Sequence, residues 1–294
     1  MKRRTLLLAL AATVLLTVVA ASVWYRHPAP AAAPCPCSGA LADYPWPHAA
    51  PTYESLASRF PPPRGARCVE LEPGSWGAWL RGLPMQPPGS PLRLWDGLAY
   101  PLLLAPWIAG IVDLDVRRYQ ECADTIFRLR LEYLRHSGRA LEASVPTGAG
   151  DPLTWAQWSR GWRPHQRGSR IYVSLTAAPD DSRAAFDHYL TSVFIWCGTG
   201  ELNQMGRRVA PDDLQVGDFF VRPGAPGHAV LVVDLARDRA GRLYALILQG
   251  AMPAQSAQIA SPQPRQAWLL LDPTQPLVLP NCKPFPWPTL RRFR

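Results

Sequence analysis

Apolar side chains recur at three- and four-residue steps along residues 116–134, through Val116, Tyr119, Ala123, Ile126 and Tyr133, with Arg130 in the same series. That spacing predicts one face of a long helix, with Asp115 as its cap and Gly138 as its stop. A second helix is expected over residues 182–196, ended by Gly198-Thr199-Gly200. The pattern then changes to strands: residues 215–221, a Pro/Gly turn at 223–227, residues 228–234, a turn at 239–241 and residues 243–249. Three consecutive strands joined by short turns predict an antiparallel meander. Shorter signals precede them, with strands at 68–71 and 93–97 and a short helix after Ser75. Residues 144–170 hold Trp155, Trp158 and Trp162 among Gly, Pro and Arg without a sustained period, and are expected to form a long structured loop. Helices first and a meander second predict an α+β fold, with helices packed on an antiparallel sheet in a single domain over residues 64–294.

The N-terminus follows a different logic. Lys2-Arg3-Arg4 precedes an uncharged apolar stretch from Leu6 to Tyr25, the layout of an export signal. Residues 1–25 are therefore expected to be a signal peptide or, because about 20 apolar residues can span a bilayer, an N-terminal anchor in the inner membrane. Residues 26–63 are rich in Pro and Ala and read as a spacer. Proline is abundant throughout: 33 in 294 residues is about twice the usual share of roughly 5%. The formal net charge is +9, almost all of it arginine, since Lys2 and Lys283 are the only lysines. The arginines form no block, which argues against a nucleic-acid partner and leaves an anionic envelope polymer or cell-wall fragment. An exported protein, periplasmic or anchored facing the periplasm, is the expectation. Six cysteines at 35, 37, 68, 122, 197 and 282 are too few for a disulfide framework but permit disulfides in an oxidising compartment.

Phosphate-binding loops, His-Glu-x-x-His, Cys-x-x-Cys and Gly-x-Ser-x-Gly are all missing from the sequence, so no cofactor and no metal is expected. What remains is Cys122 in the first long helix and His228 at the mouth of an apolar strand. A thiolate nucleophile needs a base and gains from the first turn of a helix. With Asp115 as cap, Cys122 lies two turns deep; a start nearer Tyr119 would bring it to the mouth. Three readings stay open for Cys122: nucleophile, buried core thiol, or disulfide partner of Cys68 or Cys197. His228 follows a five-residue turn and is free to serve as base or to hydrogen-bond that turn. If the last hairpin closes around Ala240, Gln249 falls across from the start of the His228 strand and would orient the ring.

The segments around Ser75-Trp76-Gly77-Ala78-Trp79, Gln120-Glu121-Cys122-Ala123-Asp124, Pro226-Gly227-His228-Ala229-Val230 and Met252-Pro253-Ala254-Gln255 resemble those of domain-of-unknown-function family 4846, over roughly residues 56–293. A looser similarity is to NlpC-type and CHAP-type papain-like hydrolases of bacterial cell walls, on Cys122, Gly217-Asp218 and His228. That resemblance implies a cysteine peptidase or amidase cutting cell-wall peptide or amide bonds. Cys122 would be its nucleophile, His228 its base and Gln249 its orienting group. Gln120, Asp124, Trp155, Trp158 and Asp218 would contact substrate, with Gln120 near the oxyanion and the tryptophans on the groove rim; core packing is the other reading of the tryptophans. The departure is Glu121-Cys122-Ala123, where such hydrolases have Asp-Cys-Ser or Asp-Cys-Gly. The competing class is a non-catalytic envelope protein that uses the same groove to bind or to build.

Overall fold

The apolar runs that predict the meander pair in chain order as antiparallel neighbours and form the middle of a nine-stranded sheet. The computed structural model describes residues 33–37, 40–100, 106–264 and 266–294. Its strands are β1 (Ala66–Cys68), β2 (Ile108–Ile111), β3 (Ser144–Val145), β4 (Leu153–Thr154), β5 (Trp162–Arg167), β6 (Arg170–Leu175), β7 (Gly206–Arg208), β8 (Phe219–Arg222), β9 (His228–Asp238), β10 (Leu243–Gln249), β11 (Gln258–Ala260), β12 (Leu269–Leu271) and β13 (Leu290–Phe293). The helices are α1 (Leu56–Arg59), α2 (Trp76–Arg81), α3 (Cys122–His136), α4 (Trp155–Trp158), α5 (Arg183–Trp196) and α6 (Thr199–Met205). The large sheet runs β2-β11-β10-β9-β8-β13-β7, with β1 on β9 and β12 on β10. The fold is α+β, as the order of elements predicts.

Strand β9 is the spine. Ala229 through Ala236 are all buried, because α2 and α3 pack on it and β8 and β10 flank it. A run buried on both faces needs continuous rather than alternating hydrophobicity. The one charge between Ala229 and Ala236, Asp234, is fully buried against Arg81, with Arg81 Nη2 donating to Oδ1 at 2.6 Å. Helix α3 is buried over nearly its whole circumference. Of its three buried Asp, Glu and Arg side chains, two are neutralised by neighbours, Arg128 by Asp115 and Glu132 by Arg183.

Three expectations change. First, α3 begins at Cys122, not Val116. Tyr119 adopts a left-handed conformation with φ of 72°, which a bulky residue enters only when its surroundings force it, and the helical series breaks there. Asp115 does not cap; its carboxylate takes the Arg117 and Arg128 side chains. Second, the folded unit reaches back to Pro34, so part of the expected spacer is packed. Cys35 is bonded to Cys68, and Tyr44 and Trp46 are core side chains whose Oη and Nε1 donate to the Trp79 and Asp113 carbonyls. Isolated aromatics between prolines fill a core without leaving a period to read. Third, residues 144–170 are not loop but β3, β4, α4, β5 and the start of β6. Thr154 caps α4 by accepting from the Gln157 N–H at 3.2 Å.

Among the described residues no helix is long and apolar enough to cross a membrane. The apolar run at residues 6–25 lies outside them.

Candidate active site

The turn at residues 223–227 returns the chain so tightly that Arg222 pairs directly with His228. Gly227 is required there: a Cβ would meet Thr199 Oγ1 at 2.2 Å and the Arg222 carbonyl at 2.9 Å. On the other side, Gly250 lets the end of β10 pass beneath the start of α3, where a Cβ would meet the Glu121 carbonyl at 2.9 Å. The first approach fixes the turn that leads into β9, and the second sets the start of α3 against the end of β10. Cys122, His228 and Gln249 line one cavity of about 750 Å³.

Gln249 and Gln258 are cross-strand partners, as are Arg222 and His228. Directly opposed residues share a face of the sheet. Four neighbouring strands therefore present Gln258, Gln249, His228 and Arg222 in a row at one end. His228 Nε2 lies 3.2 Å from Gln249 Oε1. An amide oxygen only accepts, so Nε2 carries the proton and Nδ1 of the neutral ring is left as an acceptor. Burial lowers the His228 pKa below its ordinary value; the Gln249 contact opposes this and the Arg222 charge adds to it.

Cys122 is the first helical residue of α3 and is buried but free. Its neighbour Glu121 is the N-cap, and Asp124 reaches back to accept from the Glu121 N–H at 3.0 Å. Burial pushes the Cys122 thiol up to about 11. The backbone N–H groups of Ala229 and Ala123 donate toward the sulfur and lower it, while Asp124 and Glu121 raise it. Cys122 and His228 share the cavity without a direct hydrogen bond between them. The Cys122 N–H has no partner within the helix and is a ready donor to an oxyanion beside the sulfur.

The remaining expected contacts separate. Asp124 lines the cavity; it is buried, its Oδ1 has no hydrogen-bond partner among the described residues, and burial raises its pKa well above the usual carboxylate range. Gln120 does not reach the cavity: its Oε1 accepts from Arg128 Nη1 at 2.6 Å behind the helix start. Asp218 is buried at the foot of β8, where its carboxylate takes the Arg292 guanidinium and the Gln215 N–H. Trp155 and Trp158 are not a rim. Both are core, with Trp155 edge-on to Phe186 at 5.1 Å and Trp158 5.8 Å from Tyr189. Amphipathic α4 turns them inward against α5.

The cavity adds residues that the sequence reading passed over: Glu121, Cys197, Thr199, Arg222, Gln255, Gln258 and Lys283. Arg222 was readable, since a hairpin closing evenly on the 223–227 turn pairs it with His228. No group of three or more His, Cys, Asp or Glu suited to a metal occurs among the described residues. A second concavity of about 1170 Å³ is walled by Phe60, Tyr244, Trp268 and prolines. It holds Arg59, already paired with Glu54, and offers no nucleophile.

A family model described as domain of unknown function 4846 matches residues 56–292. The chain belongs to that family. Its matched span contains the whole Cys122, His228 and Gln249 arrangement. No curated protein and no solved structure matches the chain.

Proposed function

We propose that this family member is a papain-like cysteine hydrolase of the cell envelope, cutting peptide or amide bonds of cell-wall fragments. One observation carries the reading: a free cysteine at the first position of a long helix lines the same cavity as a histidine whose Nε2 is held by a glutamine on the next strand. That contact leaves Nδ1 available to a proton. In the reaction, the Cys122 thiol gives its proton to His228 as sulfur bonds to the carbonyl carbon. The oxyanion takes the Cys122 N–H. As the C–N bond breaks, the imidazolium protonates the leaving amine, and a thioester remains. Water then attacks the thioester, its proton passing through His228 to the departing thiolate. Export draws support from the charged start and apolar run of residues 1–25. The Cys35–Cys68 disulfide suits an oxidising compartment.

A second reading has its own support. The Cys122 thiol sits deep enough to be pushed up to about 11, which suits a non-catalytic groove that binds an envelope polymer. The test separates the two. Incubate the protein with cell-wall peptide fragments and follow new amines by liquid chromatography and mass spectrometry, beside Cys122→Ala and His228→Ala. Amine release lost in both variants is the expected result. No release, together with binding that both variants retain, would leave the groove as a binder.

A further inference from the structure

We infer that Arg222, with Lys283 in the lining of the same cavity, forms a carboxylate-binding subsite, and that the preferred substrate carries an anionic group on the β8 side of the bond to be cut. The inference deepens the hydrolase reading and rests on it for its catalytic consequence, though not for the binding itself.

Four covered arginines are matched with carboxylates: Arg81 with Asp234, Arg128 with Asp115, Arg183 with Glu132 and Arg292 with Asp218. Half-buried Arg130 has aromatic rings instead, those of Trp76, Tyr133 and Phe293. Arg222 is the arginine that lines the cavity: among the described residues it has no carboxylate partner, and its Nε is buried without a hydrogen bond. A half-buried cation left without a counter-ion is costly unless something else supplies one. Its position is nevertheless defined. The guanidinium carbon lies 4.9 Å from the Phe285 ring centroid, and the same ring packs 5.8 Å from the His228 ring. Phe285 thus forms one aromatic wall behind both the imidazole and the cation. Arg222 is also the direct cross-strand partner of His228 on the same face. Lys283, one of only two lysines in the chain, lines the cavity too.

The opposite side of the row differs. Beyond His228 stand the neutral amides of Gln249 and Gln258, with the Glu121 carboxylate above them at the start of α3. Along the row, positive charge stands only at the β8 end, on Arg222. A substrate amide lying across Cys122 and His228 therefore meets a guanidinium at one end only. Guanidinium and carboxylate fit each other in shape and charge. An acidic peptide, oriented by its carboxylate, satisfies this pattern; a neutral or basic one does not.

The experiment uses two small alkylating reagents of nearly equal size, anionic iodoacetate and neutral iodoacetamide, on the full-length protein without reductant at pH 9. Labelling of Cys122 is followed by peptide mass spectrometry, with exposed Cys37 as internal reference. The ratio of iodoacetate to iodoacetamide rates at Cys122 is expected to exceed that at Cys37 by about tenfold, the contribution of one charge-assisted contact. Arg222→Met should bring this ratio down to the Cys37 value, the iodoacetamide rate of the same variant serving as its own reference, and Arg222→Lys should retain part of the preference. Equal ratios at the two cysteines, or a preference indifferent to Arg222→Met, would overturn the subsite. A binding arm needs no reactive thiol: succinate, but not succinamide, should move the His228 imidazole resonances in the wild type and fail to do so in Arg222→Met. Succinate without effect on wild-type His228 would overturn it as well. If His228→Ala leaves acylation of Cys122 by p-nitrophenyl acetate unchanged while the anion preference persists, the hydrolase reading fails and the subsite stands.

Discussion

The contact between His228 Nε2 and Gln249 Oε1, at 3.2 Å, should matter more during reaction than at rest. In the resting site both partners are neutral, and such a bond contributes about 1 kcal/mol net. Once the imidazole has taken the Cys122 proton, the same bond is charge-assisted and about twice as strong. The difference, about 1–2 kcal/mol, acts on the transition state and corresponds to roughly tenfold in rate. Gln249→Leu should therefore slow acylation of Cys122 by p-nitrophenyl acetate about tenfold, read as the burst of nitrophenolate and confirmed by intact mass. The direction of the pH effect follows from the same geometry. Burial already lowers His228 below its ordinary value, and Gln249 works against that. The neutral base is present above the His228 pKa and lost as pH falls through it, so Gln249→Leu moves the acid limb of the profile to lower pH. Gln249→Glu sets a carboxylate at the same place and moves it to higher pH. Imidazole titration by NMR gives the midpoint independently. A Gln249→Leu protein whose His228 midpoint and acylation rate both match the wild type would refute the orienting role.

Four further outcomes follow. Asp124→Asn keeps an oxygen for the Glu121 N–H but removes a carboxyl that raises the Cys122 thiol; the thiol pKa should fall, read as faster iodoacetamide labelling near neutral pH. Because burial holds the Asp124 carboxyl raised, wild-type stability should decline as pH rises past the ordinary carboxylate range, and denaturant melts of Asp124→Asn should lose that component. Cys68→Ser opens the disulfide to Cys35, which closes 33 residues; loop entropy sets the cost at about 3–4 kcal/mol, visible as a lowered urea midpoint. Trp155→Ala should cost about 3–5 kcal/mol as a core truncation and leave the affinity of the folded protein for cell-wall fragments unchanged, the reverse of what a rim tryptophan would show.

Legibility in the sequence divides by how each element is stabilised. The meander was readable because β8, β9 and β10 are continuous apolar runs separated by Pro/Gly turns, and α5 because Ser182 caps a periodic segment, accepting from the Ala185 N–H at 3.1 Å. Gln249 could be placed near His228 from hairpin closure alone. The start of α3 could not, because it depends on the left-handed conformation of Tyr119, which a non-glycine residue does not announce. Next to it, Arg118 bridges to a distant segment, lying over the Tyr119 and Trp95 rings at 5.0 and 5.1 Å. The segment around Tyr44 and Trp46 was equally opaque: its place in the core is decided by Trp79 and Asp113, and nothing local announces it. Trp155 and Trp158 look like a binding surface by composition and become core through α4, a helix of a single turn that is too short to show a period.

Where α3 begins also bears on the chemistry. A cysteine two turns inside a helix would have only side chains for company, whereas at the first position it meets the N–H groups of Ala123 and Ala229 and the positive end of the helix dipole. Yet burial holds the thiol up at about 11 and the imidazole below its ordinary value. Proton transfer from one to the other is uphill by several pK units, each about 1.4 kcal/mol. The resting pair is therefore thiol and neutral imidazole, not a preformed ion pair. Those N–H groups act on negative charge only as it develops, when a carbonyl occupies the cavity and sulfur gives up its proton. The consequence is a separation of reactivities: iodoacetamide, which draws on resting thiolate, should label Cys122 slowly at neutral pH, while an acyl substrate that fills the cavity reacts fast. Rapid iodoacetamide labelling below pH 7 would contradict this account of the site.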